Sequence, residues 1–422
     1  MHKPPLCVVG LGYVGLPLAA AFARKGYVVY GYDINRQRIE DLKRGHDRTR
    51  ELSAEELNNV RITYSDDPAI IQQASVIIIA MPTPVDGENK PDLSMLEHAT
   101  QTVGQHLQKG AMVVYESTVY PGVTEDVCGP ILERASGLRC GVDFTLGYSP
   151  ERINPGDREH TVKNIVKVVA GQDEKTRKAL AMLYGSIIEA GIHEAPSIKV
   201  AEMAKAIENA QRDLNIAYIN EVAMMCTKMD IRTADVLAAA STKWNFLRFQ
   251  PGLVGGHCIG VDPYYLVWKA RQLGMATHVI TAGRTINESM GCFVAEQILS
   301  TLQTSPAPRI LVLGLTFKEN VPDTRNSKSP DVIRHLTAAG CAVEVHDPYV
   351  HADAVRECGW TAGSLDSDPY DAVVLLVPHR EYLADVPGSI IRAAKVGGLI
   401  YDLKSVLDRK NIEKAGKKYL AL

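Results

Sequence analysis

Short apolar runs alternate with amphipathic stretches along the first 150 residues of the chain. This alternation is typical of a doubly wound α/β unit, in which helices cover both faces of a parallel sheet. A helix is predicted over residues 16–25, and Ser94 with Glu97 three residues later predicts a capping box at the start of another. The predicted strands of this unit are 6–9, 28–32, 76–80, 112–115, 144–146 and 165–170.

The middle of the chain has a helical pattern instead. Residues 197–230 contain neither glycine nor proline, and their apolar residues recur near helical spacing, which predicts one long helix. A second helical block is predicted over 264–302, and the sequence TSPAPR that closes it (304–309) is the best linker candidate. Strand patterns then return, with strands predicted at 309–314, 342–346, 372–377 and 399–401.

These patterns predict an α/β fold in three parts. We expect an N-terminal Rossmann domain at residues 1–196, a central helical domain at 197–303 and a smaller Rossmann-like domain at 304–422. The predicted long helix would measure about 50 Å, which one modest domain cannot cover. We therefore expect a homodimer or a higher homo-oligomer, with the helical domain at its interface.

Composition narrows the classes of function. Lys and Arg number 46 against 49 Asp and Glu, so no global basic field would collect nucleic acid or an anionic membrane. The longest apolar runs are strand-sized, far short of the roughly 20 residues that span a bilayer. The N-terminus lacks the apolar core of a secretory signal, which makes the cytoplasm the expected compartment.

The sequence GLGYVG (10–15) follows the first predicted strand and opens a helix. Its glycines suit a tight turn, a close approach of the backbone to a pyrophosphate, and close packing of helix on strand. The pattern predicts a dinucleotide site. The loop residues predicted to bind the cofactor are Gly10, Gly12, Tyr13, Val14 and Gly15.

A carboxylate follows the second strand of the same unit. Asp33 stands where it can accept hydrogen bonds from the adenosine ribose hydroxyls and would repel a 2′-phosphate, so NAD is the predicted cofactor. Arg38 is a further candidate for cofactor binding. Together with Arg36 it leaves some tolerance of NADP open.

Two threonines and a lysine–asparagine pair are further candidates. Thr83 in MPTP and Thr118 in ESTVYPG end strands at the edge where open α/β sheets bind ligands, so both are predicted at the cofactor or active site. The alternative is that their hydroxyls cap the following turns. Lys205 and Asn209 are spaced i, i+4 on the long helix and can act as a pair; the alternative is a solvated lysine.

Eight cysteines are scattered without CxxC spacing, which argues against a disulfide framework and against a zinc site, so no metal is expected. Cys258 stands out because glycines flank it in GGHCIGVDP (255–263), with Asp262 four residues on. A thiol on an approachable loop suits a nucleophile better than a core. The neighbouring His257 invites a Cys–His hydrolase interpretation, but adjacent side chains rarely face each other, so His257 is interpreted as structural.

Six ordered motifs carry a family resemblance: GLGYVG, ESTVYPG, GYSPER, the Lys205/Asn209 helix, GGHCIGVDP and FKENVPDTRNS. With them the sequence resembles the UDP-sugar 6-dehydrogenases of the UDP-glucose dehydrogenase superfamily over essentially its whole length. The version GLVGGHCIGVDPYYL resembles the branch acting on UDP-N-acetylhexosamines, with UDP-GlcNAc favoured and UDP-GalNAc open. The resemblance implies an NAD-dependent, four-electron oxidation of the sugar C6 alcohol to a carboxylate, serving surface polysaccharide biosynthesis.

The resemblance also implies a role for each catalytic candidate. Cys258 matches the nucleophile that captures the C6 aldehyde as a thiohemiacetal, which the second oxidation converts to a thioester. Lys205 and Asn209 match the pair that stabilises the developing oxyanion, and Asp262 the carboxylate that positions a catalytic water. Glu151 in GYSPER matches the acid/base residue for thioester hydrolysis.

Thr118 resembles the residue that orders water beside that acid/base group. Lys318 and Arg325 follow the first strand of the C-terminal unit, where two cations suit a diphosphate, and the resemblance makes this unit the UDP-binding domain with Arg325 reaching the active-site cleft. The alternative is surface charges on a loop. The implied substrate-binding residues are Glu151, Arg152, Lys205, Asn209, Arg248, Gly255, Lys318 and Arg325.

Two other functions compete with this interpretation. One is a UDP-glucose or other sugar-nucleotide dehydrogenase with the same chemistry. The other is a non-catalytic sensor of NAD and nucleotide sugars, against which the joint presence of Cys258, Lys205, Asn209, Asp262 and Glu151 argues.

Overall fold

A computed structural model of the protein describes residues 3–152, 164–256, 258–302, 307–384 and 388–422. The chain divides into two compact units. The first unit consists of Met1–Glu208 with Tyr264–Met275, and the second of Asn209–Pro263 with Ala276–Leu422.

The first unit is built on an eight-stranded sheet. Its strands are β1 (Leu6–Val9), β2 (Val29–Tyr32), β3 (Ile62–Ser65), β4 (Val76–Ile79), β5 (Met112–Tyr115), β6 (Thr145–Tyr148), β7 (Lys167–Gly171) and β8 (Ile192–Glu194). They are arranged in the order β3-β2-β1-β4-β5-β6-β7-β8, and every neighbouring pair is parallel except β6 with β7. The order reverses between β1 and β4, which creates a ligand-binding crevice at the carboxyl ends of the strands.

Helices cover this sheet, which explains why its central strands are apolar throughout. All four residues of β1 and of β4 are buried, as expected for parallel strands that are covered on both faces. The α-helices are α1 (Gly15–Arg24), α2 (Arg36–Lys43), α3 (Ala54–Asn58), α4 (Ser94–Gln105), α5 (Gly129–Ser136) and α6 (Glu174–Gly185), with shorter turns of helix at Pro68–Gln73 and Val123–Cys128.

The central part of the chain is helical, as predicted. Its helices are α7 (Ile198–Lys228), α8 (Thr233–Ala240), α9 (Asp262–Gln272) and α10 (His278–Thr301). The single long helix is therefore confirmed as α7. The second helical block consists of two helices, because Gly274 adopts a left-handed conformation (φ +72°) between the end of α9 and the start of α10.

The C-terminal part of the second unit is a six-stranded sheet that is parallel throughout. The strand order is β11-β10-β9-β12-β13-β14, which repeats the order of the first six strands of the N-terminal sheet. The predicted α/β class with a helical middle is thus confirmed. The elements are β9 (Arg309–Leu313), α11 (Ser329–Ala338), β10 (Ala342–His346), α12 (Ala352–Glu357), β11 (Thr361–Ala362), β12 (Tyr370–Leu375), α13 (Arg380–Ala384), α14 (Gly388–Ala393), β13 (Ala394–Asp402), α15 (Arg409–Lys414) and β14 (Lys418–Ala421).

The predicted capping box at Ser94 is wrong. Leu93 is the N-cap of α4, and the Ser94 N–H donates to the Asp92 carboxylate. A capping box does form at Ser53 and Glu56, at the start of α3. In the described ranges of the chain, no helix is long and apolar enough to span a bilayer.

Candidate active site

The glycine-rich loop after β1 has the geometry of a phosphate cradle. Gly10 adopts φ +90°, and a Cβ there would lie 2.7 Å from the Ala80 carbonyl oxygen. A Cβ on Gly15, the first residue of α1, would collide with the Gly10 carbonyl oxygen. Gly12 differs, because nothing lies within 4 Å of the position its Cβ would take. The loop is packed at its two ends and open in its middle, where a pyrophosphate can approach the backbone.

Asp33 fixes the open loop from the end of β2. Its carboxylate accepts hydrogen bonds from the N–H of Leu11 (2.9 Å) and of Asn35 (2.9 Å) while remaining partly exposed. Arg38 is buried, donates twice to the Leu11 carbonyl (2.9 and 2.8 Å) and pairs with Asp47 at 2.8 Å. The structure thus gives Arg38 a supporting role under the loop, and its direct contact with a cofactor stays a prediction.

The loops that follow β4 and β5 are tied to each other. Ser117 Oγ donates to the Met81 carbonyl (2.6 Å) and accepts from its N–H (3.1 Å). Thr83 Oγ1 donates to the Thr118 carbonyl at 2.5 Å, so the two predicted threonines are brought together. The Thr83 carbonyl in turn accepts from the hydroxyl of Tyr265 on α9. Thr83 is therefore bonded through both its side chain and its backbone.

A buried ion cluster joins the ESTVYPG and GYSPER segments. Lys167, the first residue of β7, places its ammonium 2.6 Å from Glu116 Oε2 and 3.7 Å from Glu151 Oε2, and donates to the Pro150 carbonyl (3.1 Å). Burial alone would lower the pKa of Lys167, but the two carboxylates outweigh it and raise that pKa above its usual value. Lys167 stays cationic and holds the predicted acid/base residue Glu151 at the carboxyl edge of the sheet.

Glu116 itself is buried and hydrogen-bonded on both oxygens. Besides Lys167, it accepts a hydrogen bond from the hydroxyl of Tyr184 on α6 (2.5 Å). Burial raises the pKa of Glu116 to about 7 against the opposing effect of Lys167. Sequence reasoning missed both Lys167 and Glu116; the available signals were a lysine in an otherwise apolar strand and the first letter of ESTVYPG.

Glu202 is a second buried carboxylate that the sequence did not reveal. It lies on α7 three residues before Lys205, and it accepts from the N–H of Gly122 (2.5 Å) and of Thr124 (2.9 Å). It thereby attaches the end of the ESTVYPG segment to the helix that carries Lys205. Burial raises the pKa of Glu202 to about 7, although the two backbone donors oppose the shift.

Lys205 is buried on α7, as the active-site interpretation requires and a solvated lysine would not be. Arg152, predicted to bind substrate, has a guanidinium engaged by protein groups. It pairs with Glu208 (2.9 and 3.2 Å) and donates to the Val166 carbonyl (2.7 Å). These contacts anchor the end of GYSPER to α7.

In the second unit, Asn209 and Asp262 are brought together. Asn209 Nδ2 donates to Asp262 Oδ2 at 2.6 Å, and both side chains are buried. The Cys258 carbonyl accepts from the N–H groups of Val261 (3.1 Å) and Asp262 (2.9 Å), so Cys258 forms the turn that leads into α9. Cys258 and Asp262 therefore lie on one turn, and Asn209 is hydrogen-bonded to it through Asp262. His257 lies outside the described residues.

The thiol of Cys258 is exposed, unlike most other cysteines of the chain. Burial raises the pKa of Cys7 and of Cys128 to about 12, and that of Cys140 to about 11. Because the thiolate is the reacting form, these three thiols are poor nucleophiles. Cys358 is also exposed, but it follows α12, at a distance along the chain from every catalytic candidate.

A buried amide network holds the loop that carries Cys258. Asn220 on α7 grips Gly252, accepting from its N–H (2.8 Å) and donating to its carbonyl (3.0 Å). The same amide donates to Asn287 on α10 (2.8 Å), which donates to Asp213 on α7 (2.7 Å). The Asn220 amide therefore has partners on both its oxygen and its nitrogen, which fixes the start of the loop.

The glycines of the loop pack against the C-terminal sheet's first loop. Gly256 N–H donates to the Asn326 carbonyl (3.2 Å), and a Cβ on Gly255 would lie 2.5 Å from that same oxygen. A Cβ on Gly256 would meet the Phe317 ring at 2.7 Å. Glycine is thus required at both positions, and the cysteine loop is joined to the segment that carries Lys318 and Arg325.

A cavity that is partly open to solvent lies beside this junction. Lys318 lines it, as predicted for a diphosphate-binding cation, and Gly255 lies at its wall. Two further lysines, Lys328 and Lys404, line the same cavity, and sequence reasoning missed both. Their ammonium groups also pair with acidic residues, Lys328 with Asp331 (3.3 Å) and Lys404 with Glu319 (2.9 Å).

Arg325 and Arg248 are the two arginines of the second unit that were predicted to bind substrate. Arg325 pairs with Asp323 (2.7 Å) and is largely exposed. Arg248 is exposed too and makes one long bond of 3.5 Å to the Ser241 carbonyl. Their contacts with substrate stay predictions.

Family models match three consecutive stretches of the chain. They are the NAD binding, central and UDP binding domains of the UDP-glucose/GDP-mannose dehydrogenase family, at residues 5–188, 199–289 and 311–409. The chain belongs to the UDP-glucose/GDP-mannose dehydrogenase family. The predicted resemblance, the enzyme class and NAD as the cofactor are confirmed. The predicted domain boundaries at 196 and 303 stay predictions.

Relatives within this family span the whole chain. A UDP-N-acetyl-D-glucosamine 6-dehydrogenase of Pseudomonas aeruginosa is 48% identical over 97% of this chain and 98% of its own. An enzyme of the same name from Salmonella typhi is 46% identical over 95% of this chain and 96% of its own. A solved UDP-D-ManNAc dehydrogenase of Pyrococcus horikoshii superposes with a TM-score of 0.88 at 32% identity, covering 99% and 98% of the two chains.

We predict that Gly12→Ala weakens NAD binding at least tenfold without changing the melting temperature, since the added methyl enters open space that the cofactor needs. Gly15→Ala is the matched contrast. It should cost about 1–3 kcal/mol of stability, because its methyl meets backbone. Isothermal titration and thermal unfolding of both variants check this. Normal NAD affinity in Gly12→Ala would contradict the cradle.

Glu202 predicts a pH dependence of stability. Its carboxyl titrates near 4.5 in the unfolded chain but near 7 in the fold, so the folded state holds the proton more tightly. The contribution is present below pH 4.5 and is lost as pH rises towards 7, by at most about 3 kcal/mol. Denaturant unfolding at pH 5 and pH 8 should show a smaller loss in Glu202→Gln than in wild type; equal losses would show that Glu202 is ionised normally.

Proposed function

We propose that the protein is an NAD-dependent UDP-N-acetylglucosamine 6-dehydrogenase that oxidises the C6 alcohol to a carboxylate. The observation that carries this proposal is the exposed Cys258 thiol on the turn bonded to the buried Asn209–Asp262 pair. A two-electron alcohol dehydrogenase has no use for such a thiol. A four-electron enzyme needs one, because the aldehyde must be held between the two oxidations.

The cofactor fits the N-terminal unit on the evidence of the glycine loop. The open position at Gly12 and the partly exposed carboxylate of Asp33 would hold its pyrophosphate and ribose. NAD, when bound, is the acceptor of each hydride from C6. Lys205 and Asn209 stabilise the negative charge that develops on the C6 oxygen as the hydroxyl proton leaves.

Cys258 then adds to the C6 aldehyde, forming a carbon–sulfur bond and a thiohemiacetal. Loss of the second hydride from C6 to NAD, together with the proton of the thiohemiacetal hydroxyl, would give a thioester, in which the sugar carbon has reached the oxidation level of the acid. Water then breaks the carbon–sulfur bond, so that the carboxylate leaves and the thiol is restored. We assign removal of the water proton to Glu151, with Thr118 and Asp262 positioning that water.

The lysine-lined cavity supports UDP as the carrier of the sugar. Lys318, Lys328 and Lys404 place three cations around this cavity, which suits a diphosphate. We assign Arg325, Arg248, Gly255 and Arg152 to the sugar side of the same substrate. The uronate product would serve as a precursor for a surface polysaccharide.

The N-acetylglucosamine sugar is supported by identity. Two relatives of that name are 46–48% identical, against 32% for a solved N-acetylmannosamine enzyme. A hydroxyl that differs only in orientation changes a single hydrogen bond, so other sugars remain the competing candidates. A non-catalytic sensor is disfavoured, because it would need neither the Cys258 thiol nor the Asn209–Asp262 pair.

Steady-state NADH formation with UDP-GlcNAc, UDP-GalNAc, UDP-ManNAc and UDP-glucose in parallel tests the proposal. We expect the highest kcat/KM with UDP-GlcNAc, by at least tenfold over UDP-glucose, and two NADH per sugar nucleotide consumed. A preference for UDP-glucose would overturn the choice of sugar. One NADH per sugar would overturn the four-electron reaction.

We also propose that the protein is a homodimer or higher homo-oligomer through α7. Five apolar residues of this helix are 45–61% exposed, and at 100° per residue they fall within an arc of about 60°. An apolar stripe that runs for most of the helix fits a second copy of the chain. The five residues are Val200, Met203, Ile207, Tyr218 and Met225.

Light scattering should give at least twice the chain mass of 46.1 kDa at micromolar concentration. Ile207→Glu with Tyr218→Glu should shift the mass towards the monomer, because both substitutions place charge on the stripe. Leu273→Glu is the control, since Leu273 is equally exposed but lies off α7. A wild-type monomer would refute the assembly.

A further inference from the structure

A buried histidine lies behind the loop that carries Lys318, and nothing in the reaction uses it. His379 follows β12 and its side chain is fully buried. Its ring contacts three groups of the C-terminal α/β sheet: the Asn320 N–H, the Asp347 carboxylate and the Thr316 hydroxyl. These contacts connect the segment after β9 with the ends of β10 and β12.

The contacts determine the tautomer of the ring. The Asn320 N–H donates to Nδ1 at 2.9 Å, so Nδ1 carries no proton. The proton of the neutral ring is therefore on Nε2, which lies 3.1 Å from both Asp347 Oδ2 and Thr316 Oγ1. The Thr316 hydroxyl donates its own proton to the Lys318 carbonyl (3.0 Å), so its oxygen can accept the hydrogen bond from Nε2.

These bonds fasten the loop on both sides of Lys318. Thr316 is held by His379 and by its N–H to Asp347 (3.0 Å). Asn320, in a left-handed conformation (φ +61°), is held through its N–H to His379 and through its Oδ1 to the Arg380 N–H (3.0 Å). Lys318, which lines the cavity, is suspended between two anchored residues.

The N-terminal sheet has an aspartate, Asp33, at the position that corresponds to Asp347, and there no histidine among the described residues covers it. Asp33 and Asp347 both follow the second strand of their sheet, and each accepts from the N–H after a glycine of positive φ: Leu11 at 2.9 Å and Leu315 at 2.6 Å. Asp33 remains partly exposed, as a ribose ligand must be. Asp347 is buried with His379 against it, so its carboxylate supports the loop instead of a ribose.

We propose that neutral, Nε2-protonated His379 is a positioning residue that holds Lys318 in place for the diphosphate of the nucleotide sugar. This inference rests on the proposed UDP-sugar function. It predicts that His379 affects affinity for UDP and KM for the sugar nucleotide, but neither NAD affinity nor kcat at saturating substrate.

Two substitutions separate the two nitrogens. His379→Asn keeps an acceptor where Nδ1 stands, and His379→Gln keeps a donor where Nε2 stands but leaves the Asn320 N–H without its partner. Titration with UDP should show a loss of at least tenfold for His379→Gln and less than about threefold for His379→Asn. KM should follow the UDP affinity while kcat stays within twofold.

A double-mutant cycle with Lys318→Met completes the test. If His379 acts through Lys318, His379→Gln should cost no further UDP affinity in the Lys318→Met background. Additive losses, or equal losses of NAD affinity, would overturn the proposal.

If His379→Gln fails to fold, Asn320→Gly releases the same loop from the Arg380 N–H and should also weaken UDP binding. Unchanged UDP binding in Asn320→Gly would overturn the proposal. Failure of wild type to bind UDP would instead contradict the proposed function.

Discussion

The buried ammonium of Lys167 is the interaction on which the catalytic edge of the N-terminal sheet depends. β7 is the one strand that runs antiparallel to its neighbour β6, so its first residue lies where the parallel strands end. Lys167 therefore reaches Glu116 after β5 and Glu151 after β6. Without this charge two carboxylates would face each other in a desolvated space, and the segments that carry Thr118 and Glu151 would lose their common anchor.

Other residues of the site are likewise held by contacts between segments that follow the strand ends. Thr83 and Thr118 meet because the loops after β4 and β5 leave the sheet side by side. Glu202 attaches the second of these loops to α7, three residues before Lys205. The C-terminal sheet repeats the strand order and the glycine–aspartate bond of the N-terminal one, yet it buries the aspartate and presents lysines instead. One topology thus yields two different nucleotide sites.

The parts of the fold that the sequence predicts are those with local causes. Strands β1, β5 and β10 lie at their predicted residues, because their apolar runs are short and bounded by turns. The glycine loop is recognisable because its three glycines lie within six consecutive residues that directly follow β1. The edge strand β3 was missed, because its residues are only partly buried and show no apolar run.

The parts that could not be predicted depend on contacts between distant residues. Lys167 meets Glu116 across 51 positions, and Glu202 meets Gly122 across 80. His379 bonds Asn320 across 59 positions, and no spacing rule connects them. The local capping pattern at Ser94 was misleading. The Ser94 N–H donates to the Asp92 carboxylate, and α4 begins at Ser94, one residue earlier than the capping pattern requires.

In the proposed reaction one thiol, Cys258, holds the sugar between two oxidations, and Glu151 drives its release. Mass spectrometry of Glu151→Gln after incubation with UDP-GlcNAc and excess NAD tests both roles. We expect a burst of up to two NADH per site, slow turnover, and one UDP-uronate acyl group on Cys258 that is absent when Cys258→Ala is added. Normal turnover of Glu151→Gln, or an adduct on another exposed thiol such as Cys358, would contradict it.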